Sequence, residues 1–216
     1  MVSSLSAVIA ICALFALQHS LLVTDRAKAL ARRALGEEFV RAYYRIGFTL
    51  VSLAALAVFA FVFVMVPDTT LWSPPIWLVV IMRLGQAGAA VFAIKSFTTV
   101  SLWEFIGLRQ AWSALRGDMP AGDIEGLAMK GLVTDGSYRY VRHPLYLAGI
   151  LIFTLNPEFT LNRITLAACA DMYFIAGAMI EEKRLLARFG EDYRRYMNNV
   201  PRFIPSLRRV VRRSAR

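Results

Sequence analysis

Tyr44-Arg-Ile-Gly-Phe-Thr-Leu-Val-Ser-Leu-Ala-Ala-Leu-Ala-Val-Phe-Ala-Phe-Val-Phe-Val-Met-Val66 decides the fold class. Beyond Arg45 the run carries no charge, and its length matches the ~20 apolar residues that cross a hydrocarbon core of ~30 Å. Two further runs, Val2 to Val23 and Ile76 to about Ala93, have the same character. The first lacks a basic leader and a small-residue cleavage site, so it is expected as a retained helix. Over 216 residues the chain is 57% hydrophobic, with mean hydropathy +0.51. That is too apolar for an ordinary soluble domain.

After a polar middle containing Lys95, Glu104, Arg109, Arg116 and Asp118, apolarity resumes at Leu145 to Leu155, stops at Asn156-Pro157, and continues from Ile164 to Ile180. This reads as a helical hairpin. Its first arm covers only ~16 Å at 1.5 Å per residue, so it either borrows flanking residues or does not fully cross. The expected class is all-α: a single polytopic membrane helical bundle with about five spanning helices, near residues 2–23, 44–66, 76–93, 144–156 and 163–180, the last two forming the hairpin. Elements 131–146 and 181–205 are expected to be cytoplasmic and to carry the chemistry.

A formal charge of +10 invites a nucleic-acid reading. The cations, however, sit in blocks that flank apolar runs, which fits membrane topology and argues against nucleic acid as a partner. Thr24 to Arg45 holds Arg26, Lys28, Arg32, Arg33, Arg41 and Arg45; Pro67 to Pro75 holds none; the tail beyond Ile180 holds eleven. Positive charge marks the cytoplasm, so the N-terminus is expected outside and the C-terminus inside a bacterial inner membrane. The Arg208 to Arg216 run is expected to lie along anionic lipid headgroups. Cys12 and Cys169 each lie in an apolar run, which supports neither a disulfide framework nor a thiolate metal site, and no metal is expected.

Three clusters could carry chemistry. Gly131-Leu-Val-Thr-Asp-Gly-Ser-Tyr-Arg-Tyr-Val-Arg-His-Pro-Leu-Tyr146 places three tyrosines, two arginines and a histidine just before a helix. Pro144 suits a first helical turn and puts His143 near the N-cap, where backbone N–H groups meet anions. The same residues also anchor helices at headgroups. Glu181 and Glu182, read as the end of the last apolar helix, oppose its dipole and call for compensation, either by a cationic ligand group or by Lys183, Arg184 or Arg188. Phe189 to Pro205 reads as a short amphipathic helix ending before Pro201. Tyr193, Tyr196 and Arg202 would line a pocket if it folds back as a lid, or lie on the surface if it does not.

Arg142-His143-Pro144-Leu145-Tyr146, a hairpin of about 35 residues, Glu181-Glu182, then Phe189-Gly190 through Tyr193 and Pro205 together resemble the isoprenylcysteine carboxyl methyltransferase and phospholipid N-methyltransferase superfamily. The resemblance covers roughly a third of the chain. It implies a multi-span membrane enzyme that uses S-adenosylmethionine, with Tyr138, His143, Pro144, Tyr146, Glu181, Glu182 and Tyr193 holding the cofactor and Arg142 and Arg202 at the reaction centre. Gln18-His19-Ser20, Gly107-Leu-Arg-Gln110 and Val200-Pro-Arg-Phe-Ile-Pro205 look like the methanethiol S-methyltransferase branch and its NnrU-like relatives. That implies a small or lipidic thiol as acceptor. Carboxyl methylation, lipid-amine methylation and a non-catalytic NnrU-like role stand as alternatives, and His19 is either a substrate-site residue or a satisfied polar group.

Arg83 and Asp171 each lie about seven residues into a span from the same side. Because intramembrane charges are costly and usually paired, they are expected to face each other.

Overall fold

The computed structural model describes residues 2–118 and 131–205, which fall into two compact units: 2–69 with 100–118 and 131, and 70–99 with 132–205. The Arg208 to Arg216 run lies outside the described residues. The all-α, polytopic membrane class holds, and the strands among the described residues are one short pair.

The first unit contains α1 (Val2–Val23), α2 (Asp25–Leu35), α3 (Glu37–Met65), α5 (Leu102–Phe105) and α6 (Leu108–Leu115). Thr24 starts α2 by accepting a hydrogen bond from the Ala27 N–H at 3.2 Å. Gly36, at φ +87°, ends α2 and starts α3, a conformation that L side chains rarely adopt. The basic Thr24 to Arg45 segment is therefore an amphipathic helix followed by a helix that begins seven residues before Tyr44, with its first-turn Glu37 and Glu38 favoured by the helix dipole. Gly107, at φ +89°, sits so close to α3 that an added Cβ would overlap the backbone of Arg45 and Ile46. The α5–α6 corner is pinned there by the Arg45 Nε, which donates to the Phe105 carbonyl at 2.5 Å, and by stacking of the guanidinium on Phe48 and Phe105.

The second unit contains β1 (Thr70–Trp72), α4 (Ile76–Thr99), a 3₁₀ turn (Gly136–Arg139), α7 (Pro144–Thr154), β2 (Phe159–Thr160), α8 (Leu161–Phe189) and α9 (Glu191–Asn199). β1 and β2 pair antiparallel, with Trp72 packed edge-on against Phe159. α7 packs on α4 and α8, and it does so through small residues. Ala148 and Ala178 are buried, and Gly149 lets the Phe174 ring come within 2.6 Å of where a Cβ would stand. Close approach of helices in lipid needs such residues, because packing and hydrogen bonding replace the hydrophobic drive.

Among the described residues, α1, α3, α4 and α8 are long and apolar enough to cross a membrane. They leave large apolar side chains such as Leu14, Val64 and Ile76 exposed, as lipid-facing helices do. The eleven-residue α7 is the short arm anticipated from its length.

Two expectations are corrected. Arg83 does not pair with Asp171: it donates to Gln86 Oε1 at 2.9 Å and to Glu158 Oε1 at 3.2 Å. The half-exposed arginine reaches outward to the α7–α8 link, where Glu158 also meets Arg163 at 3.0 Å. Asp171 instead accepts the Thr154 hydroxyl at 2.7 Å. Equal depth in two helices does not fix which way their side chains turn. The second correction concerns Glu181 and Glu182, which do not end a helix: α8 continues two turns further to Phe189. The dipole argument therefore loses its force, and what compensates them is a matter of tertiary contacts.

Candidate functional site

The cluster on the second unit is built by three segments that meet at α8. The chain arriving at α7 runs through the 3₁₀ turn and buries Val141 completely. It then lays Arg142 and His143 beside the segment that follows α9: the Arg142 N–H donates to the Pro201 carbonyl at 2.9 Å, and the His143 N–H to the Arg202 carbonyl at 3.3 Å. Pro144 takes the first position of α7 and His143 its N-cap, as the sequence suggested.

α9 is held by its apolar face. Tyr193, Tyr196 and Val200, spaced three and four residues apart, bury themselves against Leu132, Leu185, Leu186, Phe189 and Met197. Each such burial contributes ~1.5–3 kcal/mol. The Tyr196 hydroxyl donates to the Tyr138 carbonyl at 2.6 Å, which ties the helix to the 3₁₀ turn.

At the centre is Glu182, 4% exposed. Its Oε1 accepts from Arg142 Nε at 2.9 Å and Arg202 Nε at 3.1 Å, with His143 Nε2 at 3.2 Å, and its Oε2 accepts from Arg202 Nη2 at 2.5 Å. The Arg142 guanidinium also lies 2.7 Å from Oε1 through Nη2. Its remaining edge, Nη1, donates to the Met197 and Val200 carbonyls at 3.0 and 2.5 Å. Arg142 thus caps the orphan carbonyls at the end of α9 while neutralising a buried carboxylate.

Glu181 is in a different situation. Its side chain is 27% exposed, its carboxylate lies 3.5 Å from His143 Nδ1, and the Tyr146 hydroxyl hydrogen-bonds to it. Tyr146 and Phe203 both pack on His143, with ring centroids 5.4 and 6.1 Å from the imidazole. Tyr138 feels the same carboxylate: burial first, then the Glu181 charge, pushes its phenol up. Burial and the neighbouring Glu182 do the same for Tyr193, and burial and Tyr193 for Tyr196. These phenols are neutral donors at physiological pH. Hydrogen bonding to Glu182 raises the Arg202 guanidinium, which is charged throughout.

The nine residues singled out from the sequence therefore lie in one unit but divide in two. Arg142, Pro144, Glu182 and Tyr193 form a buried lock. Glu181, with Tyr146 and Tyr138, forms a partly accessible face next to His143, and Arg202, at 36% side-chain exposure, bridges lock and surface. The Tyr193 hydroxyl is buried without hydrogen-bond geometry to any described residue. Phe203 and Phe174, the latter against Tyr146 at 6.0 Å, belong to the same aromatic surround and were not singled out. Phe174 was legible as one turn before Ala178 on the face of α8 that meets α7. His19 belongs to the first unit: its Nδ1 is 3.2 Å from the Ser52 hydroxyl, and its ring packs on Phe15 and Phe48.

Comparison with known proteins gives this geometry a family. The chain is 33% identical over 207 residues to the methanethiol S-methyltransferase of Pseudomonas deceptionensis, covering 91% of this chain and 71% of that protein. It is 28% identical over 195 residues to the methanethiol S-methyltransferase of Crocosphaera subtropica, covering 89% and 71%. A shorter match, 36% identical over 78 residues and covering 34% and 33%, links it to the protein-S-isoprenylcysteine O-methyltransferase of Schizosaccharomyces pombe. No solved structure matches the chain. The family model described as NnrU protein matches residues 7–156. With more than half of its length matched by that model, the chain belongs to the NnrU protein family.

Proposed function

We propose that the protein is an integral membrane S-adenosylmethionine-dependent methyltransferase whose acceptor is a small or lipidic thiol, in the manner of methanethiol S-methylation. The observation that carries this reading is the division of labour between adjacent carboxylates. Glu182 is consumed by Arg142, Arg202 and His143, whereas Glu181 keeps an accessible edge flanked by phenols.

The donor set suits the cofactor. A carboxylate suits the α-ammonium group of its amino-acid end, and the faces of Tyr138 and Tyr146 suit a sulfonium by cation–π attraction. When bound, S-adenosylmethionine supplies an electrophilic methyl group on sulfur. The chain's own task is then mostly positioning and exclusion of water. Arg142 acts through Glu182 as a positioning residue, since its donors are spent on Glu182, Met197 and Val200. Arg202, partly exposed, retains the capacity to stabilise an anionic thiolate. With the methyl supplied by the cofactor, the acceptor thiol would give up its proton to solvent, and Arg202 would stabilise the thiolate while it exists. By the charge asymmetry of the loops, the site faces the cytoplasm of a bacterial inner membrane, with the N-terminus outside.

Carboxyl methylation of an isoprenylcysteine is the second reading, favoured by the local 36% identity to the yeast enzyme. Calorimetry of the detergent-purified chain with S-adenosylmethionine or its demethylated product tests the common claim; absence of binding by folded protein rejects it. Labelled cofactor offered with methanethiol, a prenylated cysteine analogue and phosphatidylethanolamine then separates the acceptor classes.

A further inference from the structure

A groove of about 230 Å³ runs along the first unit and shares no residue with the cluster described above. Phe39, Tyr43, Gly47 and Val51 of α3 form its floor at steps of four residues, one face of a helix, and Leu22 of α1 and Leu35 of α2 form its walls. The lining is apolar. Tyr44 also lines it, and its hydroxyl is satisfied by donating to the Leu22 carbonyl at 2.7 Å. From Phe39 to Val51 the floor is ~18 Å long at 1.5 Å per residue, close to the ~15 Å of hydrocarbon in one leaflet.

Charge identifies what occupies it. The groove begins at the start of α3, where Arg32 and Arg41 share one carboxylate, Glu37, at 3.2 and 3.7 Å; with Arg33 and Glu38 counted, residues 32–41 hold three cations against two carboxylates, one positive charge in excess. Arg26 and Arg33, exposed on α2, carry no ion pair among the described residues. A cationic rim above an apolar slot one leaflet deep complements an anionic headgroup with its acyl chain. We infer that α1, α2 and the first half of α3 form a seat for one anionic phospholipid of the basic-side leaflet, its chain along Phe39–Val51 and its phosphate at the Arg32–Arg41 rim.

Gly47 offers a clean test, because a Cβ there meets nothing within 4 Å and a larger side chain enters the groove without displacing protein. Native mass spectrometry of the purified full chain, with phosphatidylglycerol and phosphatidylcholine of identical acyl composition, is expected to show phosphatidylglycerol retained about fivefold or more over phosphatidylcholine. Gly47→Leu should lose both adducts at an unchanged melting temperature. If Gly47→Leu proves unstable, Val51→Trp at the deep end makes the same test. Arg32→Gln/Arg41→Gln should keep the phosphatidylcholine adduct and lose the preference. Equal retention of the two lipids by wild type, undiminished adducts in the groove-filled variant, or extraction of a neutral isoprenoid as the bound species would overturn the assignment.

Discussion

Replacing Glu182 with glutamine keeps the shape of the side chain and removes its charge, leaving the Arg142 guanidinium, whose side chain is 9% exposed, with two carbonyls and no counter-ion. Breaking a buried pair by removing one partner costs about 3–5 kcal/mol. The Arg202 contribution is smaller because that side chain is 36% exposed and partly screened by solvent. A loss of about 3–4 kcal/mol is therefore expected. At roughly 2–4 °C per kcal/mol for a chain of this size, that lowers the melting temperature by about 10 °C. Glu181→Gln is the control. Its carboxylate is 27% exposed and meets His143 only at 3.5 Å, so its loss should cost under about 1 kcal/mol of stability. Its effect should fall on ligand affinity, where one charge-assisted contact of about 1.5–3 kcal/mol corresponds to a roughly 10- to 150-fold weaker Kd for the demethylated cofactor. Intrinsic tryptophan fluorescence on heating and titration calorimetry in detergent read the two quantities. A stable Glu182→Gln protein, or a Glu181→Gln protein that melts early and still binds normally, would refute the division of roles.

Arg142→Lys should destabilise by about 2–3 kcal/mol, because an ammonium cannot span Glu182 and the Met197 and Val200 carbonyls as the planar fork does; thermal unfolding checks it. Gly149→Ala should cost about 1–3 kcal/mol by driving a methyl into the Phe174 ring, 2.6 Å away, and Phe174→Leu in the same chain should recover part of the loss. Gly107→Ala should impair folding outright, since its φ is +89° and its Cβ would overlap α3; recovery of normally melting protein would disprove the pinned corner. Tyr138, Tyr193 and Tyr196 hold their protons more tightly in the folded state than at the ordinary value of 10.0. Their contribution to stability is therefore full below about pH 10 and is lost as pH rises beyond it. Phenolate absorbance near pH 11 should show at least three fewer ionised tyrosines in folded than in denatured protein.

The membrane class was legible because a run such as Tyr44 to Val66 admits no other solvent. Pro144 and the Asn156-Pro157 break likewise marked the start of α7 and the hairpin link, since proline constrains the backbone whatever surrounds it. The meeting of Arg142-His143 with Glu181-Glu182 was legible only as an ordered resemblance. What escaped was angular information. Arg83 and Asp171 share a depth and not a facing direction, and α8 continues past Glu182 because Lys183 to Phe189 is good helix sequence with an amphipathic face. That Glu182 would be saturated and Glu181 left accessible depends on a one-residue, 100° turn of the helix against Arg142 and Arg202. No periodicity could supply it, because both arginines reach α8 from segments distant in the chain.

The central claim, methyl transfer from S-adenosylmethionine at the Glu181 face, is tested most directly by incubating the purified chain in liposomes with methyl-labelled S-adenosylmethionine and methanethiol and trapping the volatile product. The account predicts labelled dimethyl sulfide from wild type and its loss in Glu181→Gln at unchanged melting temperature. A correctly folded wild-type chain that transfers no label to methanethiol, the prenylated analogue or phosphatidylethanolamine, and binds no S-adenosylmethionine, would contradict it.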